Sequence, residues 1–227
     1  KLPEGDRIVG VAICDANDDI LLSGRRGKCI RFPVIDVRVF KSRDSVGVRG
    51  IRLVGDDELI AMSIVRHAEF DSDTRDRYLR WSNARRRAEG EGESSADPLP
   101  SAPEQADEMA AAEQFVLSIT ENGYGKRTSA YEYRVTGRGG QGIINIEASD
   151  RNGPVVASAP VEEDHHIMLV TDTGRLIRTP VHDIRIAGRN TQGVTLFDVE
   201  PNERVVSVAW LSEQNDGEDA DDDGDDG

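Results

Sequence analysis

Aromatic side chains are scarce in this chain, only 5% of its 227 residues, so several small cores are expected rather than one large one. No apolar run is long enough to cross a bilayer as a helix, and membrane association is not expected. Cysteine occurs twice, at Cys14 and Cys29, each within an apolar, strand-like run. No third or fourth ligand is spaced to complete a zinc site, so both are expected as buried, reduced thiols in a reducing, cytoplasmic compartment. Catalytic patterns are missing as well. No serine or cysteine stands in a nucleophile context, and no metal spacing recurs. Asp164, His165 and His166 cluster before a strand and His182 precedes Asp183, which solvated turns explain. Gly137-Arg138-Gly139-Gly140-Gln141-Gly142 lacks the Lys-Ser/Thr ending of a nucleotide P-loop and does not open a helix.

A basic balance is also lacking, since the formal net charge is −15, which argues against nucleic acid until the charge is divided. Residues 213–227 carry nine acids and no base, and residues 66–113 carry seven bases and twelve acids. The remainder holds 21 bases against 22 acids. The acidity therefore belongs to the appendages, and a nearly neutral body can carry a basic rim.

What is present is a repeat. Gly27, Gly123 and Gly174 each stand four residues before an arginine, namely Arg31, Arg127 and Arg178. A second arginine follows 12, 11 and 11 residues later (Arg43, Arg138, Arg189), and a glycine four residues after that (Gly47, Gly142, Gly193). Arg38, Arg134 and Arg185 recur between them. The last two copies are 51 residues apart, and the first gap is 95, which implies an insertion. A period near 50 points to propeller blades or another array of β-units, because one unit cannot bury its apolar face alone.

Each copy reads as four short β-segments: 19–23, 29–32, 47–54 and 58–65; then 115–119, 125–128, 142–148 and 154–159; then 166–170, 176–179, 193–199 and 204–211. Gly5-Asp6-Arg7-Ile8-Val9-Gly10-Val11 echoes Asp56-Asp57-Glu58-Leu59-Ile60-Ala61-Met62, so the chain is expected to open on the last strand of an earlier copy. The expected division is 1–65 (that end strand plus a first blade), 66–113 (inserted linker), 114–161 (second blade), 162–212 (third blade) and 213–227 (disordered acidic tail). Within the insertion a helix is expected over 73–89 with Ser72 as its cap, disorder over 90–103, and a second short helix over 104–112. Arginines at loop tips can contact a phosphodiester backbone, or they can cap turns and brace neighbouring blades. Both readings stay open for the recurrent set. Tyr124, Tyr131 and Tyr133, present in one copy only, are expected to pack.

Asn122-Gly123-Tyr124-Gly125-Lys126-Arg127-Thr128, the 137–142 loop, and Thr173-Gly174 through Arg178-Thr179 to Gly188-Arg189-Asn190-Thr191-Gln192-Gly193-Val194 resemble the last blades of the C-terminal domain of the DNA gyrase A subunit. The resemblance covers about 160 residues, everything except insertion and tail. It implies an all-β, propeller-like β-pinwheel of strand-exchanging blades whose basic perimeter bends and wraps duplex DNA without sequence preference. The implied DNA-binding positions are Lys28, Arg31, Arg43, Lys126, Arg127, Arg138, Arg178 and Arg189. The implied partners are duplex DNA, the rest of the A subunit, and the B subunit in an A2B2 assembly. ATP and Mg2+ would act elsewhere in that holoenzyme, with no cofactor, catalytic residue or metal in this chain. The acidic tail resembles tails that modulate wrapping in relatives. The heptapeptide Gln-Arg-Arg-Gly-Gly-Lys-Gly of the family is absent, with only a degenerate echo at 137–142. A topoisomerase IV-type C-terminal domain and a protein-binding propeller scaffold are the alternatives.

Overall fold

β-Branched runs punctuated by glycine turns become strands in a computed structural model, which describes residues 2–42, 44–91 and 99–212. They are β1 (Asp18–Gly24), β2 (Lys28–Pro33), β3 (Leu59–Arg66), β4 (Phe115–Thr120), β5 (Tyr124–Ser129), β6 (Ile143–Ile144), β7 (Val155–Val161), β8 (His166–Thr171), β9 (Leu176–Pro180), β10 (Val194–Thr195) and β11 (Val205–Leu211). Helices α1 (Ser72–Arg86) and α2 (Ala106–Ala112) lie in the insertion. The sheets run β3-β1-β2-β6, β7-β4-β5-β10 and β11-β8-β9, and every strand pairing is antiparallel.

The fourth strand of two sheets comes from the next copy. β6 belongs to the second copy but pairs with β2 of the first, Lys28 opposite Ile144 and Cys29 opposite Ile143. β10 of the third copy pairs with β5 of the second, Val194 opposite Gly125. These pairings bear on three departures from the sequence reading. Residues 47–54, in the donor position of the first copy, form no strand, and among the described residues no further sheet receives them. The third sheet has three strands rather than four, with no donated strand beside β9 among the described residues. Residues 5–13 form no strand either, and Ile8, Val11 and Ile13 are exposed. The last strand of each copy pairs with the first strand of the same copy, and among the described residues no strand lies against 5–13.

Several small cores replace a single large one. Leu21, Cys29 and Val65 of the first blade meet Val116, Ala130 and Tyr133 of the second. Leu117, Ile119 and Val161 of the second meet Ile167, Leu169 and Val181 of the third. The apolar clusters thus straddle blade boundaries, so each blade relies on its neighbour for burial. Of the cysteines only Cys29 is buried, its thiol pushed up to about 12 by desolvation. Cys14 is exposed, on a segment that pairs with no sheet among the described residues.

The insertion is docked. Asp71, rather than Ser72, caps α1, with its carboxylate accepting from the Thr74 amide at 2.8 Å and from the Thr74 hydroxyl at 2.8 Å. Tyr78 and Met109 bury themselves against Tyr131. The Tyr78 and Tyr131 rings meet edge to face with centroids 5.5 Å apart, and the Tyr131 hydroxyl donates to the Met109 carbonyl at 2.8 Å. Residues 92–98 and the tail 213–227, where disorder is expected, lie outside the described residues.

Candidate nucleic-acid interface

The recurrent glycines mark where one copy crosses to the next. Gly27 and Gly123 sit in the turns before β2 and β5 at φ of 82° and 76°, a left-handed region that glycine enters without steric cost. Their carbonyls accept from the crossing segment: Gly27 from the Asn145 amide at 2.8 Å, Gly123 from the Leu196 amide at 2.8 Å. A Cβ at either site would overlap a carbonyl oxygen, that of Ile146 or of Phe197. Gly174 has the same backbone, at φ 85°, but nothing lies within 4 Å of its missing Cβ.

The recurrent arginines separate into two groups. Arg31 and Arg127, on β2 and β5, are 4% and 2% exposed. Arg31 pairs with the buried Asp19 at 2.8 Å and donates to the Ala130 carbonyl at 2.8 Å and the Arg66 carbonyl at 2.9 Å. Arg127 donates to the carbonyls of Ile184 at 2.6 Å and His182 at 3.0 Å, and to Glu163 at 3.0 Å. Each guanidinium therefore reaches the turn that follows the second strand of the next blade and satisfies its carbonyls. This is the bracing role, and it removes both side chains from an outer surface. Arg178 occupies the same position on β9 and is exposed.

Lys126 is also buried, at 0% exposure, and donates to the Gly188 carbonyl at 2.6 Å and the Thr191 carbonyl at 3.2 Å. It lies where the first blade has Ile30, counting from Gly27 and Gly123. Burial pushes its ammonium down to about 7, against the attraction of Glu132. The unfolded chain holds that proton up to the ordinary lysine pKa, so between about pH 7 and pH 10 the unfolded state binds more protons and stability rises with pH. Denaturant midpoints of wild type and Lys126→Met should diverge in that window, the wild type gaining by at most about 1.4 kcal/mol per pH unit, and run parallel below it. Parallel curves at every pH would show that the lysine stays charged in place.

Four predicted positions remain outward. Lys28 and Arg178 are exposed, without an ion-pair partner among the described residues. Arg138 is exposed and rests on the carbonyls of Asp36 at 2.9 Å and Arg49 at 3.1 Å. Arg189, half-buried, donates to the Ile144 carbonyl at 2.9 Å and to Asn190 at 3.1 Å. Arg43 lies outside the described residues. Tyr131 and Tyr133 are buried, as expected of packing residues, whereas Tyr124 lies under the Arg151 guanidinium. Of the basic end of α1, Arg85 pairs with Glu89 and Arg86 with Glu113, leaving Arg87 free of any carboxylate among the described residues. The site set from sequence omitted Arg134 and Arg185, although both recur with Arg38. It also omitted Arg75 and Arg80, which no repeat singles out.

The comparisons with known proteins follow this architecture. A family model described as "DNA gyrase C-terminal domain, beta-propeller" matches residues 1–15, 18–66, 114–162 and 165–209, leaving out the insertion and the tail. The chain is 48% identical over 243 residues to the DNA gyrase A subunit of Granulibacter bethesdensis, covering 100% of this chain and 26% of that protein. It is 44% identical to the DNA gyrase A subunit of Rickettsia bellii, covering 95% of this chain and 24% of that protein. The chain thus spans about a quarter of the length of these relatives. A crystal structure of the C-terminal domain of DNA topoisomerase IV superposes with a TM-score of 0.68 at 18% identity, over 93% of this chain and 52% of that one; it shares the fold. With its blades laced by exchanged strands and the family model running through all three of them, the chain belongs to the DNA gyrase C-terminal domain family of β-propellers.

Proposed function

We propose that this chain is the DNA-wrapping region of a gyrase A subunit. It binds duplex DNA through phosphates along an edge bearing Lys28, Arg138, Arg178 and Arg189, bends it without reading bases, and presents it to the rest of a cytoplasmic A2B2 enzyme for ATP-dependent negative supercoiling. By itself it catalyses no reaction. The observation that carries this reading is the sorting of the recurrent bases. Once the braces are set aside, the outward ones are held on backbone carbonyls or stand free, and cations of that kind remain available to phosphate. The gyrase relatives, at 48% and 44% identity, support this reading over a topoisomerase IV-type domain.

Titration of the 227-residue chain with a duplex of about 40 base pairs, from about 50 to about 200 mM salt, tests the reading. The four edge contacts should contribute about −3.6 to the slope of log K against log salt, at about 0.9 per contact. Removal of residues 213–227, with their nine acids, should tighten binding by relieving competition for the basic edge. Absence of binding even at about 50 mM salt ends the proposal.

A further inference from the structure

The segment skipped by the family model, residues 67–113, brings arginines of its own beside those of the blades. Tyr78 and Ser82 bury one side of α1. At about 100° per residue, Arg80, Asn83 and Arg87 share a different flank. Between that flank and the loops of the second and third blades runs a cleft of about 1040 Å³, lined by Arg75, Arg80 and Arg87 of the insertion and by Arg134 and Arg189 of the blades. Past Asn83 and Arg87 it continues into a second cavity of about 390 Å³ that adds Arg185. Asp76 and Glu132 also line the cleft. Glu132 is engaged by the Arg189 amide at 2.9 Å.

None of these six arginines has an ion-pair partner among the described residues, whereas Arg85 and Arg86 on the same helix do. The Nε of Arg75 is buried with no hydrogen-bond partner among the described residues. Six arginines outnumber the two carboxylates, Asp76 and Glu132, so the cleft keeps an excess of like charge that an entering anion offsets. The blade contribution matters as much as the helix. Arg134, Arg185 and Arg189 belong to the recurrent set, and Arg189 is also part of the edge assigned to DNA above.

We propose that this cleft binds the phosphate backbone of duplex DNA, so that the insertion lengthens the wrapping path beyond the family's common blades. The inference rests on the DNA-binding reading above. The dimensions agree with it. From Arg75 to Arg87 the axis of α1 advances about 18 Å, and one strand of a duplex presents about five phosphates over that length.

The test compares the wild-type chain with Arg75→Gln/Arg80→Gln/Arg87→Gln in the same duplex titration. The triple variant should melt like the wild type, bind about tenfold or more weakly at about 100 mM salt, and show a salt slope shallower by about 3. The exposed pair Arg80→Gln/Arg87→Gln serves if Arg75 proves necessary for folding, with a slope shallower by about 2. An unchanged affinity and slope, while Arg178→Gln weakens binding, would overturn the cleft and leave the rim reading standing. Failure of the wild type to bind would end both. A polyglutamate peptide supplies the remaining arm: if the triple variant loses the peptide but keeps DNA, the cleft receives an acidic protein segment and the proposal is wrong.

Discussion

Gly123→Ala is expected to cost about 4 kcal/mol of folding stability, and Gly174→Ala about 1 kcal/mol. The two glycines share a repeat position and a left-handed backbone, with φ of 76° and 85°, so the strain of placing an L-residue there is the same for both. They differ in surroundings. A Cβ on Gly123 would enter the space of the Phe197 carbonyl oxygen, and the Gly123 carbonyl accepts from the Leu196 and Phe197 amides at 2.8 and 3.2 Å. Relieving the overlap means moving the segment that carries β10, and both hydrogen bonds go with it. Gly174 faces open space. Urea or guanidinium unfolding of the two variants reads the difference directly, and Gly27→Ala should behave like Gly123→Ala because Ile146 occupies the matching position. Equal losses at positions 123 and 174 would mean that backbone conformation, and not strand exchange, explains the recurrent glycine.

Arg31→Met should destabilise the protein by about 3–5 kcal/mol, since removing one partner of a buried pair strands the other. Asp19 is 0% exposed, and its remaining contact is His67, whose Nδ1 stands 3.0 Å from both carboxylate oxygens. The Arg66 carbonyl loses the guanidinium as a donor, while the Ala130 carbonyl keeps the Tyr133 amide at 3.2 Å. Arg127→Met should rank close behind, through the carbonyls of Ile184 and His182. Arg178→Met, at the same repeat position but exposed, should shift stability by less than about 0.5 kcal/mol. DNA binding should invert the order. Measured where all three variants are folded, the salt slope should fall by about 1 for Arg178→Met and stay unchanged for Arg31→Met and Arg127→Met. A reduced slope for the two inner variants would show that the blades open to offer their braces to DNA.

Much of this was legible in the residues. Glycine and arginine at fixed offsets located all three copies, and alternation with β-branched residues located their strands to within a residue or two for segments such as 115–119 and 166–170. The insertion's helices were legible from composition, although the cap fell to Asp71 because its carboxylate sits at the right distance from the Thr74 amide. The strand expected over residues 47–54 does not form, for a physical reason: a strand exists only if something pairs with it, and the partner of a donated strand lies in another copy. The same applies to Cys14, whose apolar neighbours suggested burial that no sheet among the described residues provides.

The repeat itself, its all-β character, the neutral body behind an acidic total, and the family resemblance are properties of the sequence alone, because each depends on residue type and spacing. Which arginines face outward is not such a property. Arg31, Arg127 and Arg178 are indistinguishable by position, yet two are enclosed by the blade that follows and one is not. Burial depends on what covers a side chain, and in an array that cover is supplied by a neighbouring copy. The cleft beneath α1 is likewise a product of tertiary structure: residues separated by more than a hundred positions, Arg75 and Arg189 among them, become neighbours only when Tyr78 and Met109 dock the insertion on Tyr131.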